Sequence, residues 1–289
     1  MGTSKSSKGS PSNVPSTPSW TPDPLEGGGQ NNVTYAPHNT GTPVGGPDFF
    51  SENDFPVSPE SIEFDKAPPR RHLGARKGIS DYARTGSRDS LQRGMKNYVK
   101  KSLGGSRKAA QRLGGATKSA GSLYHALSSL SGANDFNEND LLSREALSSK
   151  SPAEIIDYIV DTLAPLDGTQ DAETRQWSMN NALSDLYKTY PNADIENLTV
   201  EQIDHTVECF AVEELIRRFE LDLEQTIIDN APSNMEGVKR SKDAKSFIRT
   251  VAHNSFEELR ESGKTLTTDN VTEVINEAYI ITCEGFEES

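Results

Sequence analysis

Proline is concentrated at the start of this chain. Twelve of its sixteen prolines lie within residues 1–69, although the chain has 289 residues. Proline fixes φ and has no backbone N–H to donate, so such a segment forms neither long helices nor inner strands. The same segment contains ten Leu, Ile, Val and Phe residues, about 14% of its length, which is too few to bury a core. We therefore predict a long disordered tail over residues 1–69, ahead of a folded part.

Charge divides the chain at nearly the same positions. Residues 1–69 carry a formal charge of −5, residues 70–131 carry +12 and residues 132–289 carry −20, for a total of −13. The middle block owes its charge to fourteen lysines and arginines against two acids, Asp81 and Asp89. A basic block between two acidic ones predicts either an anionic partner or docking on the acidic part of the same chain.

Apolar residues recur every three or four positions between residues 88 and 131, which predicts two amphipathic helices. Gly104 and Gly105 separate them, and Ser106 is in position to cap the second helix. We interpret residues 70–131 as a basic helical docking segment, followed by a polar linker over residues 132–150. The segment's apolar stripe contains the residues predicted to dock on a partner or on the chain's own acidic part: Tyr98, Val99, Leu113, Leu123, Tyr124 and Leu127.

The strongest helix signals begin at Ser151, which starts a capping box with Glu154 and a proline between them. Thr199 starts a second capping box, and a continuous helix is predicted from there to about Asp229. Prolines and a glycine separate the helices: Pro165, Pro191, Pro232 and Gly263. We predict an all-α fold, with an acidic bundle of about five helices over residues 151–289, preceded by the basic two-helix segment and the tail.

The residues give little indication of catalysis or metal binding. Cys209 and Cys283 belong to no CxxC pair, which argues against a disulfide framework and structural zinc. Because no HExxH, GxSxG or phosphate-binding loop is present, we expect neither an enzyme nor a cofactor. His205 precedes Cys209 by one helical turn, so a Cys/His pair is possible, but no third group is evident nearby and a buried inert thiol is favoured. Without a long apolar run or an apolar leader, we expect a cytoplasmic protein with no membrane span.

Eight cations of the basic segment form a predicted anion-binding patch: Arg88, Arg93, Lys96, Lys100, Lys101, Arg107, Lys108 and Arg112. They can neutralise phosphates, and Tyr82 and Tyr98 offer rings that stack on bases. The acidic bundle in the same chain would repel nucleic acid, and no nucleic-acid-binding motif is present. We favour an acidic protein surface as the partner, and nucleic acid is the alternative.

The first six residues offer an acylation site. Removal of Met1 leaves Gly2 with an unhindered α-amine, and an ordinary pKa of about 8 keeps part of such an amine neutral and nucleophilic. The start also satisfies the myristoylation pattern M-G-x-x-x-[ST], with Ser6 in the last position. The residues alone do not distinguish myristoylation from another N-terminal acylation. Among the tail residues, we expect a partner to recognise Thr3, Ser4 and Trp20.

Three groups of short motifs are distinctive. They are MGTS at residues 1–4 with WTP at 20–22, GAR at 74–76 with YARTG at 82–86 and the pair Tyr98-Val99, and GGSR at 104–107 with GSLY at 121–124. Together they resemble the QatB family of the four-component Qat anti-phage system. The resemblance is detailed over about residues 1–130 and only general in the helical remainder.

This resemblance implies a non-enzymatic component of a bacterial defence system. It also implies a partner that is similar to QueC, an enzyme of 7-deazaguanine synthesis, together with an ATPase and a TatD-like nuclease. QueC-type chemistry adenylates a carboxylate of a 7-deazaguanine and lets an amine attack it, so the resemblance implies an amide between the nucleobase and Gly2. The alternative is an N-myristoylated or nucleic-acid-binding adapter without nucleobase conjugation.

Overall fold

The computed structural model describes residues 70–132, 142, 144–147 and 150–288. The predicted tail over residues 1–69 lies outside this part. The described residues are helical and contain no strand, which confirms the all-α prediction. The basic segment forms four helices: α1 (Leu73–Thr85), α2 (Arg88–Asn97), α3 (Ser106–Arg112) and α4 (Gly114–Leu130). The remainder forms α5 (Arg144–Leu147), α6 (Pro152–Leu163), α7 (Gln170–Thr189), α8 (Val200–Phe219), α9 (Gln225–Asn230), α10 (Asn234–Glu261) and α11 (Val271–Glu288).

One hydrophobic core joins the basic helices to the acidic ones. Helix α1 packs against α2 and α9, α3 and α4 pack against α11, and α4 also packs against α8. Leu123 and Leu127 of α4 are completely buried in this core. The apolar stripe of the basic segment therefore docks on the chain's own acidic part, one of the two surfaces that the sequence left open.

Both capping boxes are present as the sequence predicts. Ser151 Oγ accepts from the Glu154 N–H while the Glu154 carboxylate accepts from the Ser151 N–H, and Thr199 and Gln202 make the equivalent pair. The helix predicted from Thr199 to about Asp229 is observed as uninterrupted helical backbone over 200–230, in which a π-helical turn over Glu220–Glu224 lies between α8 and α9. The turn carries Glu220 and Glu224, and Lys245 of α10 pairs with both carboxylates at 2.8 and 3.0 Å.

The basic segment breaks where its glycines lie, but differently from the prediction. Gly104 and Gly105 have φ of 91° and 96°, a region that favours glycine, and they end the π-helical turn Tyr98–Leu103 that follows α2. Ser106 is the first residue of α3 and not its cap, since Gly105 occupies the capping position. The predicted second helix is also divided, because Leu113 leaves helical geometry and Gly114 begins a new helix.

The predicted polar linker contains core residues. Leu142 and Leu147 are almost completely buried, and Leu147 ends the short helix α5. Two leucines surrounded by Ser, Asn and Asp give no periodic signal, which explains why the sequence pattern alone predicts a solvated connection.

Two glycines bring α1 and α2 unusually close together. A Cβ atom placed on Gly78 would lie 2.6 Å from the Gly94 Cα, and one placed on Gly94 would lie 2.8 Å from the Ile79 Cδ1. Both distances are shorter than van der Waals contact, so no larger residue fits at either position without a shift of the helices. None of the helices in the described part is long and apolar enough to cross a membrane.

Candidate functional site

The tail residues expected to react or to be recognised lie outside the described residues: Gly2, Thr3, Ser4 and Trp20. The structure therefore bears on the remaining predicted sites, which are the apolar docking stripe and the basic patch.

The apolar docking stripe lies inside the molecule. Five of its six residues are buried and Leu113 is half-buried. Two of them also make hydrogen bonds there, because Tyr124 Oη donates to the Leu266 carbonyl at 3.0 Å and the Tyr98 hydroxyl donates to Asp222. These side chains cannot form a surface for another protein while the chain is folded. The assignment of the stripe to a separate partner is thereby corrected, because its apolar area is already buried within the chain.

Most of the predicted basic patch is exposed. Six of its eight cations point to solvent: Arg88, Arg93, Lys100, Lys101, Arg107 and Lys108. Lys96 and Arg112 are half-buried. Burial and the neighbouring guanidinium groups of Arg71 and Arg218 lower the pKa of Arg112. Arg112 lines a small cavity together with Leu215 and Arg218 of α8, so it lies against the acidic part of the fold, whereas six of the other cations are exposed.

The cations of the basic segment are largely without acidic partners. Of its fourteen lysines and arginines, only Arg84 and Arg93 form salt bridges with a described residue, and both pair with Asp81. In the acidic part, seven cations are paired: Arg217, Arg218, Arg240, Lys245, Arg249, Arg260 and Lys264. Within the ranges 70–132 and 150–288, no salt bridge connects the basic segment to the acidic part. Opposite charge is therefore not what holds the two parts together.

Hydrogen bonds that are not salt bridges make the polar contacts between the two parts, and the Arg240 guanidinium, which donates to the Ala83 carbonyl, takes part in one of them. Tyr82 Oη donates to the Arg240 carbonyl at 2.9 Å, and Ser80 Oγ donates to Asn230 Oδ1 at 2.8 Å. These bonds add to the apolar core and leave most exposed cations of the basic segment without an acidic partner among the described residues. Such a surface attracts anionic partners.

A second candidate site is a groove of about 600 Å³ between α7, α8 and α10. Its wall contains ionisable side chains from all three helices: Asp185, Lys188, His205, Glu208, Cys209, Glu213, Arg249 and His253. No predicted site residue lies there, although the sequence did indicate that His205 and Cys209 can pair.

Three groups converge at one side of this groove. His205 Nε2 lies 3.1 Å from Asp185 Oδ2, and Cys209 Sγ lies 3.6 Å from both atoms. Asp185 is the third group that the sequence did not reveal, because it belongs to α7 and precedes His205 by 20 residues. Only the packing of α7 on α8 brings it to the pair. The three side chains are a possible metal-binding group, with their ligand atoms within 4.8 Å of one another.

The electrostatics of the groove do not favour a nucleophilic thiol. Burial, together with the carboxylates of Asp185, Glu208 and Glu213, raises the pKa of Cys209 to about 12. Burial also raises the pKa of Glu208 to about 7, although the Arg260 guanidinium opposes this change. Since the thiolate is the reactive form, Cys209 without a bound cation stays protonated and inert.

A family model for QatB, described as Qat anti-phage system associated protein QatB, matches residues 104–286, which is more than half of the chain. The matched region covers α3 to α11, whereas most of the motifs that carried the resemblance lie before residue 104. No curated protein and no solved structure matches the chain. The match over these helices establishes that the chain belongs to the QatB family and is a component of anti-phage defence.

Proposed function

We propose that the chain is a non-enzymatic scaffold of a Qat defence complex and that its Gly2 amine accepts a 7-deazaguanine nucleobase from a QueC-like partner. The observation that carries this proposal is a glycine at position 2 in a chain of the QatB family. An ATPase and a TatD-like nuclease are the other proposed members of the complex. We place this assembly in the cytoplasm.

The proposed chemistry is an acyl transfer. On the QueC-like enzyme, a carboxylate oxygen of the nucleobase attacks the α-phosphate of ATP, pyrophosphate leaves and an acyl-adenylate forms. The neutral Gly2 amine then attacks the carbonyl carbon of the acyl-adenylate. The bond from that carbon to the AMP oxygen breaks, AMP leaves with the electron pair, and the amine loses a proton to a base or to water. Glycine suits this step because it has no Cβ to collide with the wall of the active site when the amine approaches to about 3 to 3.5 Å.

The length of chain between Gly2 and the first described residue supports a role of Gly2 as a substrate. Sixty-seven residues separate it from Arg70, where the described part begins. Fully extended, a segment of that length spans at most about 230 Å. This length allows Gly2 to enter a partner's active site while the helices bind elsewhere. The exposed cations of the basic segment supply a surface for an acidic protein of the complex.

A matched pair of glycine substitutions tests the proposal. We expect Gly2→Val to abolish the conjugate and phage protection, because the added side chain obstructs attack at the acyl-adenylate. Gly9→Val adds the same side chain away from the amine and should retain both. Peptide mass spectrometry of the amino terminus and plaque assays with the complete operon provide the readouts. A conjugate that survives Gly2→Val would refute Gly2 as the acceptor.

A second candidate function is an N-myristoylated or nucleic-acid-binding adapter without nucleobase conjugation. The M-G-x-x-x-S start favours the lipid, and the exposed cations of the basic segment favour the nucleic acid. Ser6→Ala separates the two acylations, since only the lipid pattern requires that hydroxyl position. A fatty-acyl mass on Gly2 that disappears in Ser6→Ala would establish the lipid-modified adapter instead of the nucleobase substrate.

A further inference from the structure

The groove between α7, α8 and α10 contains an arrangement that the proposed function does not use. The side-chain atoms Asp185 Oδ2, His205 Nε2 and Cys209 Sγ form a triangle with sides of 3.1, 3.6 and 3.6 Å. Two of the three residues lie one turn apart on α8, and the third lies on α7. Because these helices pack closely along their length, the triangle is built on rigid elements and not on a loop.

The triangle has the dimensions of one face of a tetrahedral zinc site. Zinc binds oxygen and nitrogen at about 2.0 to 2.1 Å and thiolate sulfur at about 2.3 Å, so tetrahedral angles place O and N about 3.3 Å apart and S about 3.5 Å from each. The observed sides agree with these values to within about 0.2 Å. The three distances therefore allow all three atoms to coordinate a single cation.

The surrounding charges favour a dication more than they favour an anion. Glu208 and Glu213 line the groove beside the triangle, and their partners Arg260 and Arg249 compensate part of that charge. Lys188 and His253 also face the groove. The carboxylates that disfavour a free thiolate at Cys209 stabilise a bound divalent cation, since the interaction with a positive ion has the opposite sign.

We propose that Asp185, His205 and Cys209 bind one divalent cation of the zinc class, with the fourth coordination position open to the groove. A mixed oxygen, nitrogen and sulfur donor set suits Zn²⁺ and is unlike the all-oxygen sets of Mg²⁺ and Ca²⁺. Binding replaces the thiol proton: the S–H bond of Cys209 breaks, a sulfur–metal bond forms and the proton leaves to solvent. The open position accepts water or one donor atom of a ligand in the groove.

Two neighbouring residues position the proposed ligands. Thr189 Oγ1 donates to Asp185 Oδ2 at 3.4 Å, and the Tyr190 ring packs edge-on against the His205 imidazole with centroids 5.5 Å apart. A hydrogen-bond partner such as Thr189 orients a metal ligand, and its loss weakens metal binding less than loss of the ligand itself does. We expect Thr189→Val to reduce affinity by about tenfold.

Cobalt titration of the untagged full chain, in an oxygen-free buffer with a non-thiol reductant, tests the site. Wild-type protein should develop a thiolate-to-cobalt absorption band together with the intense visible bands of tetrahedral Co²⁺, at one equivalent, and Zn²⁺ should remove both. Cys209→Ser should lose the thiolate band, whereas Cys283→Ser should keep it, because Cys283 is buried on α11 outside the triangle. Asp185→Asn and His205→Gln should each weaken binding by more than tenfold.

The alternative is a metal-free cluster in which the Cys209 thiol and the His205 imidazole hydrogen-bond to Asp185. Absence of the cobalt bands from the wild-type protein, or a thiolate band that survives Cys209→Ser, would overturn the proposal. Circular dichroism of each variant ensures that a lost band reports a lost ligand and not an unfolded chain. The readout is independent of conjugation at Gly2, so either proposal can fail without the other.

Discussion

The basic segment and the acidic part share one hydrophobic core, but their cations differ in how often they form salt bridges. In the acidic part, seven of the thirteen lysines and arginines pair with carboxylates, as Lys245 does with Glu220 and Glu224. In the basic segment, cations such as Lys100 and Lys101 face solvent and form no salt bridge with a described residue. The two parts are therefore joined by apolar burial and by hydrogen bonds from hydroxyl groups and from the Arg240 guanidinium, and the exposed cations of the basic segment remain available to a partner.

The largest expected effect concerns the shared core. Leu123→Asp places a carboxylate at a position with no solvent exposure, so we expect the free energy of unfolding to fall by at least about 4 kcal/mol. His125 lies two residues away on the solvent face of α4, and His125→Asp should change the stability by less than about 0.5 kcal/mol. Urea denaturation followed by circular dichroism measures both. Equal stabilities would mean that the basic segment is not part of the core.

Glu214 is a buried carboxyl group without a salt bridge to a described residue, and it gives the next effect. It is 5% exposed, its Oε1 has no hydrogen-bond partner in the described part of the chain, and burial raises its pKa to about 7 from an ordinary value of 4.5. The native state therefore holds a proton that the unfolded state releases, so this residue makes stability fall as pH rises from about 4.5 to 7.

Glu214→Gln removes this pH dependence. Relative to wild type, we expect the variant to gain about 2 to 3 kcal/mol in the free energy of unfolding between pH 5 and pH 8, since one pKa unit corresponds to about 1.4 kcal/mol. Glu273→Gln on the exposed face of α11 is the control and should show no such trend. If the free energies of unfolding of wild type and Glu214→Gln change in parallel with pH, the raised pKa of Glu214 is contradicted.

The close approach of α1 and α2 gives a smaller effect within the basic segment. Gly78→Ala puts a methyl group 2.6 Å from the Gly94 Cα, which requires a shift of the helices and should cost about 1 to 3 kcal/mol. Gly74→Ala on the same helix meets no atom closer than 3.5 Å and should be neutral or stabilising by up to about 1 kcal/mol. Thermal unfolding compares the two, and a neutral Gly78→Ala would exclude tight packing here.

The smallest expected effect on stability tests the exposed cations directly. Replacing Lys100, Lys101, Arg107 and Lys108 by Gln should change the free energy of unfolding by less than about 0.5 kcal/mol, because none of them is paired with a described residue. Retention on a heparin column, which presents a polyanion, should shift to lower salt. Lys239→Gln with Lys242→Gln on α10 is the control for two of the four charges, and a shift there of about half the size would show that binding follows net charge alone.

Local patterns predicted helix ends well and long-range contacts poorly. The capping boxes at Ser151 and Thr199 depend on residues three positions apart, so the sequence contains all that determines them. Asp185 lies on a different helix from His205 and Cys209, and the buried Leu142 lies in a segment without periodicity. The cluster and the burial of Leu142 therefore depend on tertiary packing, which local patterns do not reveal. The glycines of the basic segment correctly predicted that its helices are interrupted. They did not predict that a new helix, α4, begins at Gly114.

The intact mass of the full chain tests the central claim most directly. The protein is produced alone, then with its QueC-like partner, and then with all its operon neighbours. The account predicts the mass of the chain without Met1 in the first case, and the same mass plus one 7-deazaguanine acyl group when the QueC-like partner is present, with the added mass on the peptide that begins at Gly2. An unmodified Gly2 in the presence of every neighbour would contradict it.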